Sequence, residues 1–189
     1  VGAESRKRPE MRIGLIVANA PHLKTESVAI ALAARPDLEV AIIALPFVLR
    51  KRRAVLFPHR PNQNDSVPLS ELTKGLGIGF LEVESLEEVS GREFNYFLMT
   101  GGILIPSDFV NNNIGKIINC HPGLIPKTRG LDSFKWAIHN FEPVGNTLHL
   151  IDKRIDMGLV LHREVTPVFP GDSLETFAFR HYQSEVRIL

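Results

Sequence analysis

The sequence has only one cysteine and one tryptophan in 189 residues, and it has no long uninterrupted hydrophobic run. The single cysteine, Cys120, cannot form a disulfide within the chain, which favours a reducing compartment. No apolar run approaches the roughly 18 residues needed to cross a bilayer. The net charge of +1 gives no reason to expect nucleic acid as the main partner. We therefore expect a soluble cytoplasmic protein with no membrane segment.

The first ten residues, VGAESRKRPE, are polar and contain no hydrophobic core of a signal peptide. We interpret residues 1–10 as a polar N-terminal tail. The chain as a whole has ordinary globular composition, with 44% hydrophobic and 23% charged residues, and no repeat or linker divides it. These features predict one domain over residues 11–189, which is long enough to bury a substantial core.

Short apolar segments alternate with helical patterns along most of the chain. Five segments are typical of strands buried on both faces of a parallel sheet: residues 11–19, 38–45, 77–83, 94–100 and 115–120. Residues 23–37 have helical spacing and join the first two strands in a βαβ unit. Residues 46–70 indicate a short helix followed by a surface loop.

The last third of the chain has a different pattern. Residues 131–140 predict a helix with Trp136 in the core, and residues 173–189 predict a helix that begins at Ser173. Residues 145–152 and 158–168 alternate in the manner of antiparallel strands. The whole pattern predicts an α/β fold. We expect a doubly wound, Rossmann-like sheet that is mostly parallel and has antiparallel strands at its C-terminal edge.

The segment NCHPGLIP, residues 119–126, places polar side chains at the end of an apolar strand. Ligands bind in open α/β sheets outside the carboxyl ends of the parallel strands. Asn119 offers an amide donor for a developing oxyanion, and His121 titrates near neutral pH. Pro122 and Pro126 stiffen the loop that carries both side chains. The segment itself contains no carboxylate that could orient His121. A candidate for this partner is Asp156, which lies in the turn KRIDMG.

This constellation resembles the folate-dependent formyltransferases, whose signature is Asn-x-His-Pro-[Ser/Gly]-Leu-[Leu/Ile]-Pro. The family continues with an Arg-Gly or Pro-Gly pair and an Asp-x-x-[Leu/Ile]-Asp-x-Gly turn, matched here by residues 129–130 and 152–158. The resemblance extends from about Asn95 to Val168, and more loosely from Met11. It implies that residues 11–189 are a single formyltransferase catalytic domain. Asn119, His121 and Asp156 fall on the family's catalytic positions.

The resemblance implies transfer of a formyl group from N10-formyltetrahydrofolate to a primary amine, with no metal ion. Asn119 and a protonated His121 would donate to the oxygen of the tetrahedral intermediate, and Asp156 would orient the imidazole. We expect the neighbouring carboxylate to raise the pKa of His121. The pterin ring would contact the backbone of two segments, and the Gly101-Gly102 pair would permit its close approach. The predicted folate contacts are Gly102, Ile103, Leu104, Ile105, Ile151, Asp152 and Lys153.

The resemblance leaves several acceptors open. The purine branch of the family has a glycine-rich loop after the first strand, whose backbone amides hold the phosphate of glycinamide ribonucleotide. This sequence has VANAPHLK instead, which argues against that acceptor. The tRNA branch adds a C-terminal β-barrel, and the hydrolase branch adds an N-terminal regulatory domain. We expect neither in a chain that ends at Leu189. A nucleotide-linked amino sugar is therefore the favoured acceptor, and a homodimer is left open.

The same residues leave three further alternatives open. The protein could be a formyltetrahydrofolate hydrolase, which releases the formyl group to water. It could be a non-catalytic module that binds folate or a nucleotide, although such a module has no need of all three polar residues. It could also be a metal-dependent hydrolase using His121, His149 and Asp156, although the two histidines lack helical ligand spacing. His149 itself is as well suited to packing as to substrate contact.

Overall fold

The computed structural model describes residues 11–48, 57 and 60–189. The tail predicted at residues 1–10 lies outside the described residues. So does most of the short helix expected after residue 46. In the described part, seven strands form one sheet: β1 (Met11–Ala18), β2 (Leu38–Leu45), β3 (Gly79–Glu82), β4 (Tyr96–Met99), β5 (Ile117–His121), β6 (Gly145–Leu150) and β7 (Val160–Val165). The helices are α1 (Leu23–Ala33), α2 (Leu69–Leu76), α3 (Ser107–Asn112), α4 (Ser133–His139) and α5 (Leu174–Ile188), with a 3₁₀ turn at Leu86–Val89.

The strand order is β3-β2-β1-β4-β5-β6-β7. The first five strands of the chain run parallel to one another, whereas β6 is antiparallel to both β5 and β7. The predicted α/β class and the antiparallel C-terminal edge are therefore confirmed. The chain order reverses between β1 and β4, which is the position where open α/β sheets bind ligands.

Hydrophobic side chains fill both faces of the sheet, as expected for strands that read as nearly continuous apolar runs. One face, with Ile16, Phe97 and Ile117, packs against α3 and the 3₁₀ turn. The opposite face, with Leu15, Ile42 and Leu98, packs against helices on the other side of the sheet. A third cluster joins α4 to α5 around Phe134, Ala137, Val144, Phe177 and Ala178.

Helix α2 was missed in the sequence. Its leucines at positions 69, 72 and 76 have helical spacing, Pro68 precedes it, and Gly77 ends it in the left-handed conformation with φ 67°. Proline before and glycine after a helix are typical boundary signals. The preceding Pro, Asn and Asp residues in 58–65 had indicated a loop, and that loop composition obscured an eight-residue helix.

The predicted core position of Trp136 is wrong, because the side chain is 55% exposed. Helix α4 has only seven residues and buries Ser133, Phe134 and Ala137. Trp136 lies on the other side of the helix, where its ring meets His139 edge to face. Among the described residues, no helix combines the length and the hydrophobicity required to span a membrane.

Candidate active site

Strand β5 carries two of the predicted site residues to the carboxyl end of the parallel sheet. Asn119 and His121 are two positions apart and therefore project from the same face of the strand. Cys120 projects from the opposite face and is buried, as predicted. Asn119 lies level with Met99 of β4 on one side and His149 of β6 on the other.

The ring of His121 is buried and has partners at both nitrogens. Its Nε2 atom lies 2.8 Å from the carbonyl oxygen of Thr128 and 3.1 Å from the hydroxyl of Ser133. Its Nδ1 atom lies 3.4 Å from Oδ2 of Asp156. The structure thus brings His121 and Asp156 together, as the motif spacing predicted.

The loop after β5 holds Asp156 in place. The backbone amide of Gly130 donates to Oδ2 of Asp156 at 2.8 Å, and Nε of Arg129 donates to its carbonyl oxygen at 3.0 Å. Asp156 adopts the left-handed conformation with φ 50°, which aspartate and asparagine tolerate better than most residues. The Arg-Gly pair of the motif therefore positions the carboxylate beside the histidine.

The turn that presents Asp156 can close only because residue 158 is glycine. A Cβ atom at Gly158 would lie 1.8 Å from the carbonyl oxygen of Leu150. The backbone amide of Leu150 donates to the carbonyl oxygen of Leu159 at 2.8 Å. Two backbone segments thus meet here with no space for a side chain.

We expect Gly158→Ala to lower the free energy of unfolding by about 3 kcal/mol or more, because the backbone must separate to admit the methyl group. Urea denaturation measures this change. Gly75→Ala is a matched control, since nothing lies within 4 Å of a Cβ at Gly75 in helix α2. Alanine there should be neutral or stabilising. A Gly158→Ala variant as stable as the wild type would show that the turn adapts.

His149 is a site residue that the sequence had left undecided between packing and substrate contact. It is buried on β6, and its Nε2 atom lies 3.2 Å from Nδ2 of Asn119 and 3.8 Å from Oδ1 of Asp156. Its Nδ1 atom contacts the carbonyl oxygen of Leu150 at 3.0 Å. His149 therefore links Asn119 to Asp156. The sequence feature that could have assigned His149 to the site is its position on the predicted antiparallel strand that leads directly into the Asp156 turn.

The carboxylate of Asp156 raises the pKa of His121 as expected, but the net shift is in the opposite direction. Burial of the ring lowers the pKa below its ordinary value, and this effect outweighs the carboxylate of Asp156, which acts in the opposite direction. The contact with the carbonyl oxygen of Thr128 also favours the charged form, while His149 opposes it. Desolvation of the charged imidazolium is thus the dominant cause. The neutral imidazole is favoured at neutral pH.

The two segments predicted to contact folate lie on one face of the sheet. Ile103 and Ile105 follow β4, Ile151 follows β6, and all three pack against the cluster that contains Ile117. Leu104 is 78% exposed and Gly102 is exposed as well. Asp152 is held by Arg154 through contacts of 2.7 and 3.1 Å. Asn119 and His121 project from the same face of β5 as Ile117, so the two segments and the polar residues share one side of the sheet.

The N-terminus of α1, at the end of β1, has no spare backbone donors. The amides of Leu23 and Lys24 donate to the backbone and side-chain oxygens of Gln63 at 3.0 and 3.2 Å. The amide of Thr25 donates to Nδ1 of His22 at 3.3 Å, and the next amide donates to the carbonyl oxygen of His22 at 3.0 Å. Burial lowers the pKa of His22 to about 4, so its ring is a neutral acceptor near pH 7. The chain itself therefore satisfies this helix end.

Within the described ranges, no three His, Cys, Asp or Glu side chains are grouped so that they could hold a metal ion. His121 and His149 instead each contact Asp156 and a backbone carbonyl oxygen. The polar centre is therefore a hydrogen-bonded group of two histidines and a carboxylate, with the amide of Asn119 next to it.

Comparison with known proteins agrees with this architecture. Residues 96–189 match the formyl transferase family model. The phosphoribosylglycinamide formyltransferase of Haemophilus influenzae is 36% identical over 87 residues, which is 46% of this chain and 41% of that protein. The chain spans less than half the length of the curated relatives that it matches.

Solved structures show the same fold. Phosphoribosylglycinamide formyltransferase from Anaplasma phagocytophilum superimposes with a TM-score of 0.70 at 20% identity, covering 94% of this chain and 82% of that one. A sugar N-formyltransferase from a Shewanella species gives a TM-score of 0.62 at 25% identity, covering 95% of this chain and 66% of that one.

The fold and the polar centre define the class: an α/β protein with Asn, His and Asp side chains at the carboxyl end of a parallel sheet. Residues 96–189, which carry this centre, match the formyl transferase family.

Proposed function

We propose that this protein transfers a formyl group from N10-formyltetrahydrofolate to a primary amine, and that residues 11–189 form a single catalytic domain. The observation that carries the proposal is the contact network of Asn119, His121, His149 and Asp156 at the end of β5. A donor amide, a buried imidazole and a carboxylate are the groups that amide formation through a tetrahedral intermediate requires.

In the proposed reaction the amine nitrogen bonds to the formyl carbon, and the carbonyl oxygen becomes an oxyanion. The Nδ2 group of Asn119 has two hydrogens, and one of them remains for that oxyanion while the other is directed to His149. Because His121 is neutral at rest, the amide of Asn119 is the main donor in this proposal.

The amine loses a proton to His121 and Asp156, which act as one coupled acceptor through Nδ1 and Oδ2. Asp156 stabilises the imidazolium that forms, although the ring is buried. The carbon bond to N10 of the folate then breaks, and the same proton moves to N10. The formylated amine and tetrahydrofolate are the products, so atoms and charges balance.

We propose a nucleotide-linked amino sugar as the acceptor. The closed N-terminus of α1 supports this choice, since Gln63 and His22 already occupy the amides that a phosphate at that position would require. The acidic side chain of Glu26 in the same first turn also disfavours an anion there. The likeness to a structure described as a sugar N-formyltransferase agrees with the proposal.

Glycinamide ribonucleotide is the second candidate, because two relatives that are 36% identical over 84 and 87 residues are described as a trifunctional purine biosynthetic protein and a phosphoribosylglycinamide formyltransferase. To serve as an acceptor here, it would have to place its phosphate away from the α1 amides. Formyl transfer to this acceptor and to an amino sugar would use the same Asn119, His121 and Asp156 chemistry.

The testing experiment measures release of tetrahydrofolate from N10-formyltetrahydrofolate, with mass spectrometry of the acceptor. Separate reactions contain nucleotide-linked amino sugars, glycinamide ribonucleotide, charged initiator tRNA or no amine. We expect release that depends on one amino sugar, with that sugar gaining a formyl group. Release with glycinamide ribonucleotide alone would overturn the acceptor proposal. Release without amine would indicate a hydrolase, and release under none of these conditions would favour a binding module.

A further inference from the structure

The hydrogen bonds around His121 determine which of its nitrogens carries the proton in the neutral ring. The carbonyl oxygen of Thr128, 2.8 Å from Nε2, can only accept a hydrogen bond. The hydroxyl of Ser133, 3.1 Å from the same nitrogen, donates its one hydrogen to the carbonyl oxygen of Gly130 at 2.8 Å. It can therefore only accept from Nε2. Both partners of Nε2 are acceptors. The carboxylate oxygen that faces Nδ1 is an acceptor as well, but it lies at 3.4 Å, whereas the Thr128 oxygen lies 2.8 Å from Nε2. The shorter contact and the second acceptor place the hydrogen of the neutral ring on Nε2.

The other nitrogen, Nδ1, is consequently the one that gains and loses a proton. Nδ1 faces Oδ2 of Asp156 at 3.4 Å. In the proposed reaction, these two atoms take up the proton of the amine. The further charged or titratable groups that act on the ring are His149 from β6 and Glu185 from α5. Asp156 is the group in contact with Nδ1, so the exchangeable proton is shared between His121 and Asp156.

Close packing holds the Ser133 hydroxyl in position. Ser133 is the first residue of α4 and is 1% exposed, and the next residue, Phe134, is anchored between Phe177 and His181. A Cβ atom at Gly123 would lie 2.8 Å from Nε2 of His121 and 2.8 Å from Cβ of Ser133. The space between Gly123, His121 and Ser133 therefore admits neither another arrangement of these side chains nor a water molecule between the His121 ring and the Ser133 hydroxyl.

We propose that Ser133 is a positioning residue that, together with the carbonyl oxygen of Thr128, keeps the proton of neutral His121 on Nε2 and so reserves Nδ1 for proton exchange with the reacting amine. The catalytic part of this inference rests on the proposed function, whereas the tautomer does not. Ser133 contacts the ring at the nitrogen opposite to the reacting side, so its effect on transfer passes through His121.

The first test is ¹⁵N NMR of the histidine rings in the wild type, with the His121 signals assigned from a His121→Gln spectrum. We expect neutral His121 to carry its hydrogen on Nε2. In Ser133→Ala we expect a mixture of the two tautomers. We also expect kcat to fall about tenfold, the effect of one hydrogen bond to a charged group. The acid limb of the kcat profile should move to lower pH, because the imidazolium loses an acceptor.

The matched control is Ser184→Ala, which removes another buried serine hydroxyl, bonded to Asn146 and Glu164. That variant should leave the His121 signals unchanged. A hydrogen on Nδ1 of neutral wild-type His121, or identical His121 signals and pH profiles in Ser133→Ala and wild type, would overturn the proposal. If no amine is formylated, the proposed function fails, while the NMR measurement still decides the tautomer without any substrate.

Discussion

Asp156→Asn is expected to lower the turnover number roughly 10²- to 10⁴-fold while preserving the fold. Asparagine tolerates the left-handed conformation found at residue 156, where φ is 50°. Its side-chain oxygen can still accept from the amide of Gly130, as the aspartate does at 2.8 Å. The substitution removes only the negative charge beside Nδ1 of His121. Without that charge, the buried imidazolium formed during transfer has no counter-ion.

The rate of tetrahydrofolate release and the free energy of unfolding should be measured for this variant together. Asp132→Asn is the matched control, because Asp132 also has a positive φ of 57° and its carboxylate contacts Lys135 at 3.1 Å rather than His121. We expect the control to retain activity. A near-normal rate in Asp156→Asn would show that the carboxylate has no part in proton transfer.

Asn119→Ala is expected to lower kcat roughly 100- to 1000-fold, with little change in the affinity for formyl-folate. The amide donor would act on the oxyanion, which carries full charge only in the tetrahedral intermediate. Loss of such a donor therefore affects the reaction more than ground-state binding. The variant also removes the donor to Nε2 of His149, which lies 3.2 Å from Nδ2 in the wild type.

Steady-state kinetics and equilibrium binding of the folate distinguish the two effects for Asn119→Ala. Asn113→Ala is a suitable control, because the Asn113 amide donates to the carbonyl oxygen of Phe109 at the end of α3, at 2.9 Å. The control should have unchanged kcat. If Asn119→Ala instead keeps its kcat and binds the folate less tightly, Asn119 only positions the folate and the donor role is wrong.

Hydrophobic patterning in the sequence predicted most of the sheet. Strands such as residues 11–18 and 38–45 are buried on both faces of the sheet. Because both faces must be apolar, such a strand is a nearly continuous apolar segment in the sequence. Helix positions were predicted less well where few residues contribute. Helix α2 was missed, and Trp136 was assigned to the core although it lies on the exposed side of α4, away from the buried Phe134. In such short helices, packing against neighbours rather than periodicity decides which side chains are buried.

The sequence by itself determined the fold class and placed Asn119, His121 and Asp156 in one motif, because strand ends, prolines and turn residues are local features. Only the tertiary structure decided how these groups behave. Pairing of β5 with β6 brings His149 to Asn119, and burial lowers the pKa of His121 despite the nearby carboxylate. Desolvation and hydrogen-bond direction depend on atoms contributed by distant parts of the chain, and a local sequence motif does not specify where those atoms lie.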